Sequence, residues 1–191
     1  GLRFGGLGRR RGPELESDGD GGGDMGAETR PTVSFSDADA AFGQLDRVFL
    51  IVWKVRTLAA TVDRMREAVL RKARAAHGKV GILIVVAPDA PMPDAAAREG
   101  IAKLFTELGD DLAGSALVYE GEGFRAAAVR GVVTGIALLV RRPFPHRIFE
   151  SASSGAAWLV GELAKAGITT TADELVRGVE RVRNAEPTDL L

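Results

Sequence analysis

From Thr32 onward, apolar residues alternate between short β-rich runs and longer stretches with helical spacing. Thr32–Phe35 and Arg47–Val55 (RVFLIVWKV) are β-branched and aromatic, and read as two strands. An antiparallel pairing of the two is expected, with the polar stretch containing Asp37, Asp39, Gly43 and Asp46 as an irregular connection. The period then changes. Leu58, Val62, Met65, Val69 and Ala73 recur at three- and four-residue steps, the stripe of an amphipathic helix. Thr57 is placed to cap its start, and Gly78 falls where a left-handed residue ends a helix. The run Val80–Ala87 (VGILIVVA) is apolar throughout, the pattern of a central strand covered on both faces.

Pro88, Pro91 and Pro93 stiffen the next connection, and Asp94 is positioned to cap a helix burying Ala97, Ile101, Leu104, Phe105 and Leu108 and closed by Gly109. Ser115–Tyr119 reads as a strand and Gly121-Glu122-Gly123 as a turn. A third helix is expected over about Arg125–Arg141, where Gly131 and Gly135 suit a close helix–sheet approach. Arg147–Glu150 is a further strand. A fourth helix begins near Ser151–Ser154 and runs to Gly167, burying Trp158, Leu159 and Leu163. The last follows Thr171-Ala172-Asp173-Glu174, a capping box, with Leu175, Val176, Val179 and Val182 inward and Arg177, Arg181 and Arg183 outward. The order β-β-α-β-α-β-α-β-α-α predicts an α/β fold with a mixed sheet of about five strands flanked by helices.

Composition changes this picture mainly at the start of the chain. Ten of the 24 glycines lie in the first 26 residues, beside Arg9-Arg10-Arg11 and then Glu14, Glu16, Asp18, Asp20 and Asp24. That stretch offers too little apolar area to offset roughly 1–2 kcal/mol of backbone ordering per residue. Residues 1–30 are therefore expected to be a disordered glycine-rich leader, ahead of a domain over 31–168 and a C-terminal helix and tail over 169–191. Arg9-Arg10 lacks the apolar region that an export signal needs, and Met25 is an alternative start of translation. Leaving out residues 1–24, with four basic and five acidic side chains, the rest of the chain balances at 21 of each.

No cysteine is present, which excludes disulfides, a thiolate nucleophile and cysteine-ligated metals. His77 and His146 are the two histidines; one is expected at a helix end and the other beside a strand, so no metal or cofactor is assigned. A net charge of −1 speaks against attraction of the whole chain to nucleic acid or anionic membrane. No apolar run approaches the ~20 residues of a membrane span. A soluble, cytoplasmic protein is the expectation.

The segments FLIVWKVRT (49–57), HGKVGILIVV (77–86) and HRIFESASSGAAWL (146–159) carry a family likeness. With a β-hairpin feeding a helix and then alternating strands and helices, the chain resembles the STAS fold of bacterial anti-sigma-factor antagonists, most closely its SpoIIAA-like branch, over roughly Thr32–Gly167. The resemblance implies a regulatory, protein-binding domain, here with an extra C-terminal helix. Antagonists of this fold carry a phosphorylatable serine at the helix start after the strand matching Val80–Ala87. Here that place reads APDAPMPDAAAR, without serine or threonine, so the usual phospho-serine switch is not implied. Asp89 or Asp94 could present a fixed negative charge there, while capping explains Asp94 without it.

The remaining candidate chemistry lies in Tyr119-Glu120-Gly121-Glu122-Gly123-Phe124-Arg125 and Arg130, at the end of a strand where open α/β sheets place their ligands. Glu120 and Glu122 could serve as acid and base or hold a metal, but no partner histidine or aspartate lies nearby in sequence. The arginines of residues 123–149 could form an anion surface, with Phe124, Arg125 and Arg130 lining a ligand groove. Ser151, Ser153 and Ser154 lack an evident base and fit capping. The expectation is a non-enzymatic domain that binds another protein or itself; the alternative is a binder of a small apolar or anionic ligand.

Overall fold

The computed structural model describes Gly1, residues 30–121 and residues 144–188. The expected leader, the helix over Arg125–Arg141 and the turn around Glu122 lie outside these. Six strands form one mixed sheet in sequential order: β1 (Thr32–Ser36), β2 (Ala40–Leu45), β3 (Val48–Trp53), β4 (Val80–Val86), β5 (Leu112–Tyr119) and β6 (His146–Phe149). β1–β2 and β2–β3 pair antiparallel, and β3–β4, β4–β5 and β5–β6 pair parallel. Four helices complete the described fold: α1 (Ala59–Ala75), α2 (Ala95–Leu108), α3 (Ala152–Lys165) and α4 (Ala172–Arg183).

β2 is the principal departure from the expected five strands. Thr32–Phe35 and the Arg47–Val55 run are not paired with each other; each pairs with Ala40–Leu45, expected to be an irregular connection. Its sequence, AAFGQL, is poor in β-formers, so local preference is silent. Its flanks hold it in place. The Asp37 carboxylate accepts from the backbone N–H groups of Asp39 and Ala40, closing the turn from β1. A two-residue turn at Asp46 (φ 48°) and Arg47 then joins Leu45 to its partner Val48. Gly43 is needed within the strand, because a Cβ there would sit 2.6 Å from the Thr32 carbonyl oxygen.

β3 is buried at every position, and its alternation divides the core in two. Phe49, Ile51 and Trp53 join Ile82, Ile84 and Leu117 under α1 and α2. Val48, Leu50 and Val52 join Leu83, Val85 and Val118 under α3 and α4. A sheet covered on both faces explains the continuous apolar run of β4.

Several helix ends match expectation. Asp94 accepts from the Ala97 N–H at 2.8 Å, Ser151 caps α3, and Thr171 and Glu174 form a full capping box. At α1 the N-cap is Leu58, with no side-chain bond, so Thr57 does not cap it. That helix ends at Ala76, whose N–H bonds back to Lys72 and Ala73; His77 is exposed beyond it, and Gly78 takes φ 142°. Arg183 also departs from expectation, being turned inward rather than to solvent.

Candidate functional site

Because β2 reverses the chain, β1 runs parallel to β3, and the C-terminal ends of β1, β3, β4, β5 and β6 all meet one edge of the sheet. α1, α2 and α3 each start from this carboxyl edge, and α4 returns to it with its last turn. Open α/β sheets place functional groups at this end, because the βα connections converge there.

Two bidentate ion pairs brace the edge. At the start of β2, Asp39 is buried and takes both of its bonds from Arg56, Nε at 2.9 Å and Nη2 at 2.8 Å. Its backbone carbonyl accepts from the N–H groups of Lys54 and Val55, so the segment after β3 is held by both main chain and side chain. The Arg56 hydrogen bond holds the Asp39 carboxyl below its ordinary value, against the smaller opposing effect of burial. At the end of β5, Glu120 receives Arg183 Nη1 at 3.0 Å and Nη2 at 2.7 Å. Hydrogen bonding to Glu120 raises Arg183 above its ordinary value, while partial burial works the other way. Between these pairs, Tyr119 Oη donates to the Pro88 carbonyl at 2.9 Å, tying β5 to the β4–α2 connection.

The C-terminal tail is anchored at the same edge. Ser36 Oγ donates to the Ala185 carbonyl at 2.8 Å and accepts from Lys54 Nζ at 3.1 Å, and the Thr188 N–H reaches the Ser36 carbonyl at 2.9 Å.

Of the residues singled out from sequence, the fold brings Asp89, Asp94 and Glu120 to this edge. Asp94 is occupied as the cap of α2, Asp89 is exposed on the β4–α2 connection, and Glu120 is engaged by Arg183. Glu122, Phe124, Arg125 and Arg130 lie outside the described residues. Among the described residues no group of three or more histidines, aspartates or glutamates is arranged to hold a metal. Nor is any helix among them long and apolar enough to cross a membrane.

Sequence reasoning passed over an apolar feature of this edge. The large apolar side chains exposed among the described residues are Val55 (50%), Leu58 (37%) and Met92 (39%). Val55 and Leu58 follow β3, and Met92 follows β4, its parallel neighbour, so all three lie on adjacent connections. Two signals were legible: Val55 ends the apolar Arg47–Val55 run beyond Lys54, and Met92 stands between Pro91 and Pro93, in a connection rather than an element. Comparisons with protein-family models, with curated proteins and with solved structures returned no match.

Proposed function

We propose that this chain is a non-enzymatic, cytoplasmic regulatory domain of STAS-like, SpoIIAA-like type that binds another protein through the carboxyl edge of its sheet. The observation that carries this reading is the gathering of Val55, Leu58 and Met92 on two neighbouring βα connections. Apolar side chains left in water on braced loops favour association with a complementary surface, and protein partners supply one. The ion pairs of Asp39 and Glu120 support it further, because they stiffen the edge while occupying its carboxylates. The order of elements, a hairpin feeding α1 followed by alternating strands and helices, supports the STAS-like assignment. Regulation works without a phospho-serine at the start of α2, since that segment contains no hydroxyl residue.

The test is site-specific photocrosslinking in the native cell, from a photoreactive residue at Met92 and, as control, one at exposed Lys79 on the opposite edge. A discrete protein adduct from position 92, lost in Val55→Asp, is expected. Adducts of equal yield from both positions, or none from position 92, would overturn the reading.

A further inference from the structure

α3 turns a nearly uncharged face to solvent. Its exposed positions are Ser153, Ser154, Ala157, Gly161, Ala164 and Lys165. Lys165 is the single charge among them, and it bonds Glu162 of the same helix at 2.9 Å. Other helices differ: all four exposed positions of α4 are charged, as are five of the seven on α1. A helix that covers a core with one face ordinarily presents such a charged face to water. One whose outer face is also small and apolar has the pattern of a helix covered from both sides.

Gly161 points the same way. Four glycines lie inside the described helices. A Cβ would meet Val62 at 2.7 Å on Gly100, Val118 at 2.8 Å on Gly155 and Leu50 at 2.7 Å on Gly178, so packing within the chain accounts for those three. On Gly161 it would meet nothing within 4 Å. Glycine weakens a helix relative to alanine, and nothing in the described residues requires it there.

Beside this gap stands a large ring. Trp158 is half-buried and packs on Phe149 with ring centres 5.5 Å apart, and the Arg147 guanidinium lies 5.8 Å from the Phe149 ring and 5.9 Å from that of Trp158. Tryptophan and arginine are enriched at the energetic centres of protein interfaces. Knob and gap sit three positions apart on one helix, and that spacing selects the occupant. Where two α3 helices cross antiparallel about a two-fold axis at Gly161, positions equally far from 161 in opposite directions face each other. Trp158 of one copy then covers Ala164 of the other, the aliphatic stem of Lys165 covers Ala157, and Gly161 admits a close approach on the axis. An unrelated helix would need its own matching knob and gap; a second copy carries both.

We propose that the chain pairs with itself through this face, α3 packing antiparallel on α3 of a second copy across a two-fold axis at Gly161. Because α3 starts from the carboxyl edge of the sheet and runs away from it, the pair leaves both carboxyl edges free and turns them in opposite directions. With 14 residues the helix is about 21 Å long and ~10 Å wide. It therefore buries less than the about 800 Å² per partner of a standard stable interface, and the pair forms reversibly, with a dissociation constant on the order of tens of micromolar.

Sedimentation velocity of the full chain from about 1 μM to about 1 mM should pass from monomer to dimer. Gly161→Ala should raise the dissociation constant about tenfold or more, because a methyl on the axis overpacks the crossing. The same substitution favours the helix in the dilute monomer, so a lost pair is not a lost fold. Ala164→Glu, at an exposed position, should abolish pairing by removing the seat of Trp158, while Ala75→Glu, exposed on α1, should leave it unchanged. A chain that stays monomeric throughout, or a dimer whose affinity survives both Gly161→Ala and Ala164→Glu, would overturn the proposal. A dimer lost only in Val55→Asp would overturn it as well and place self-association at the carboxyl edge. The crosslink expected from position 92 does not depend on this pairing, so either reading can fail alone.

Discussion

Gly178 tests how closely α4 is seated on the sheet. It is buried on the inner side of that helix, and a Cβ built on it would lie 2.7 Å from Leu50 Cδ1. Leu50 is on β3 with 0% exposure, so its methyl has little room to yield. Gly161 on α3 is a matched control: it is exposed, in mid-helix, and a Cβ there meets nothing within 4 Å. Alanine gains about 1 kcal/mol over glycine within a helix at either position. At Gly178 the gain is opposed by overpacking, which costs about 1–3 kcal/mol in a close-packed interior. Gly161→Ala should therefore stabilise the protein by about 1 kcal/mol, and Gly178→Ala should destabilise it by roughly 1 kcal/mol, the difference being the overpacking. Urea unfolding of the wild type and both variants would show this, with midpoints moving in opposite directions at an unchanged slope. If Gly178→Ala raised the midpoint as much as Gly161→Ala, α4 would not sit where Leu50 places it, and the seating of the C-terminal helix over β2 and β3 would be refuted.

The Glu120–Arg183 pair, partly buried at 25% and 29% exposure, should show a coupling of about 1 kcal/mol in a double-mutant cycle of Glu120→Gln and Arg183→Met, read from the same urea curves. Independent, additive effects would remove the brace. Arg56→Gln should make acid stability less dependent on Asp39. The depressed Asp39 carboxyl contributes above the ordinary carboxylate range, and the contribution is lost as pH falls through its folded-state value. The gap between wild type and variant should thus be full at pH 7 and close below about pH 4; a gap that widened in acid would contradict the pairing. Thr171→Ala removes half of the capping box at α4 and should cost about 1 kcal/mol of stability, measured by thermal or urea unfolding. No change would mean that the cap contributes nothing beyond packing.

Among the candidate residues, the outcome followed the range over which each side chain acts. Asp94, Ser151 and Thr171 bond to backbone groups three residues away, so their roles were legible from spacing. Glu120 was noticed because it ends a strand, but its partner Arg183 lies 63 positions further along the chain. On a helical projection Arg183 is only another arginine beside Arg177 and Arg181. Thr57 failed as a cap because α1 begins one residue later than its apolar stripe suggested, with Leu58 in the capping position.

By itself the sequence determined the α/β class, the bounds of most strands and helices, the two-sided burial of β4, and the capping roles of Asp94, Ser151 and Thr171. These follow from local periodicity and short-range hydrogen bonding, which act within a few residues of chain. Only the tertiary structure decided that Ala40–Leu45 is a strand, since its pairing comes from β1 and β3 rather than from its own residues. Tertiary contact likewise turned Arg183 onto Glu120, set Gly178 against Leu50, and assembled Val55, Leu58 and Met92 on one edge. Each of these depends on which distant segments the closed core brings side by side, and no local pattern records that distance.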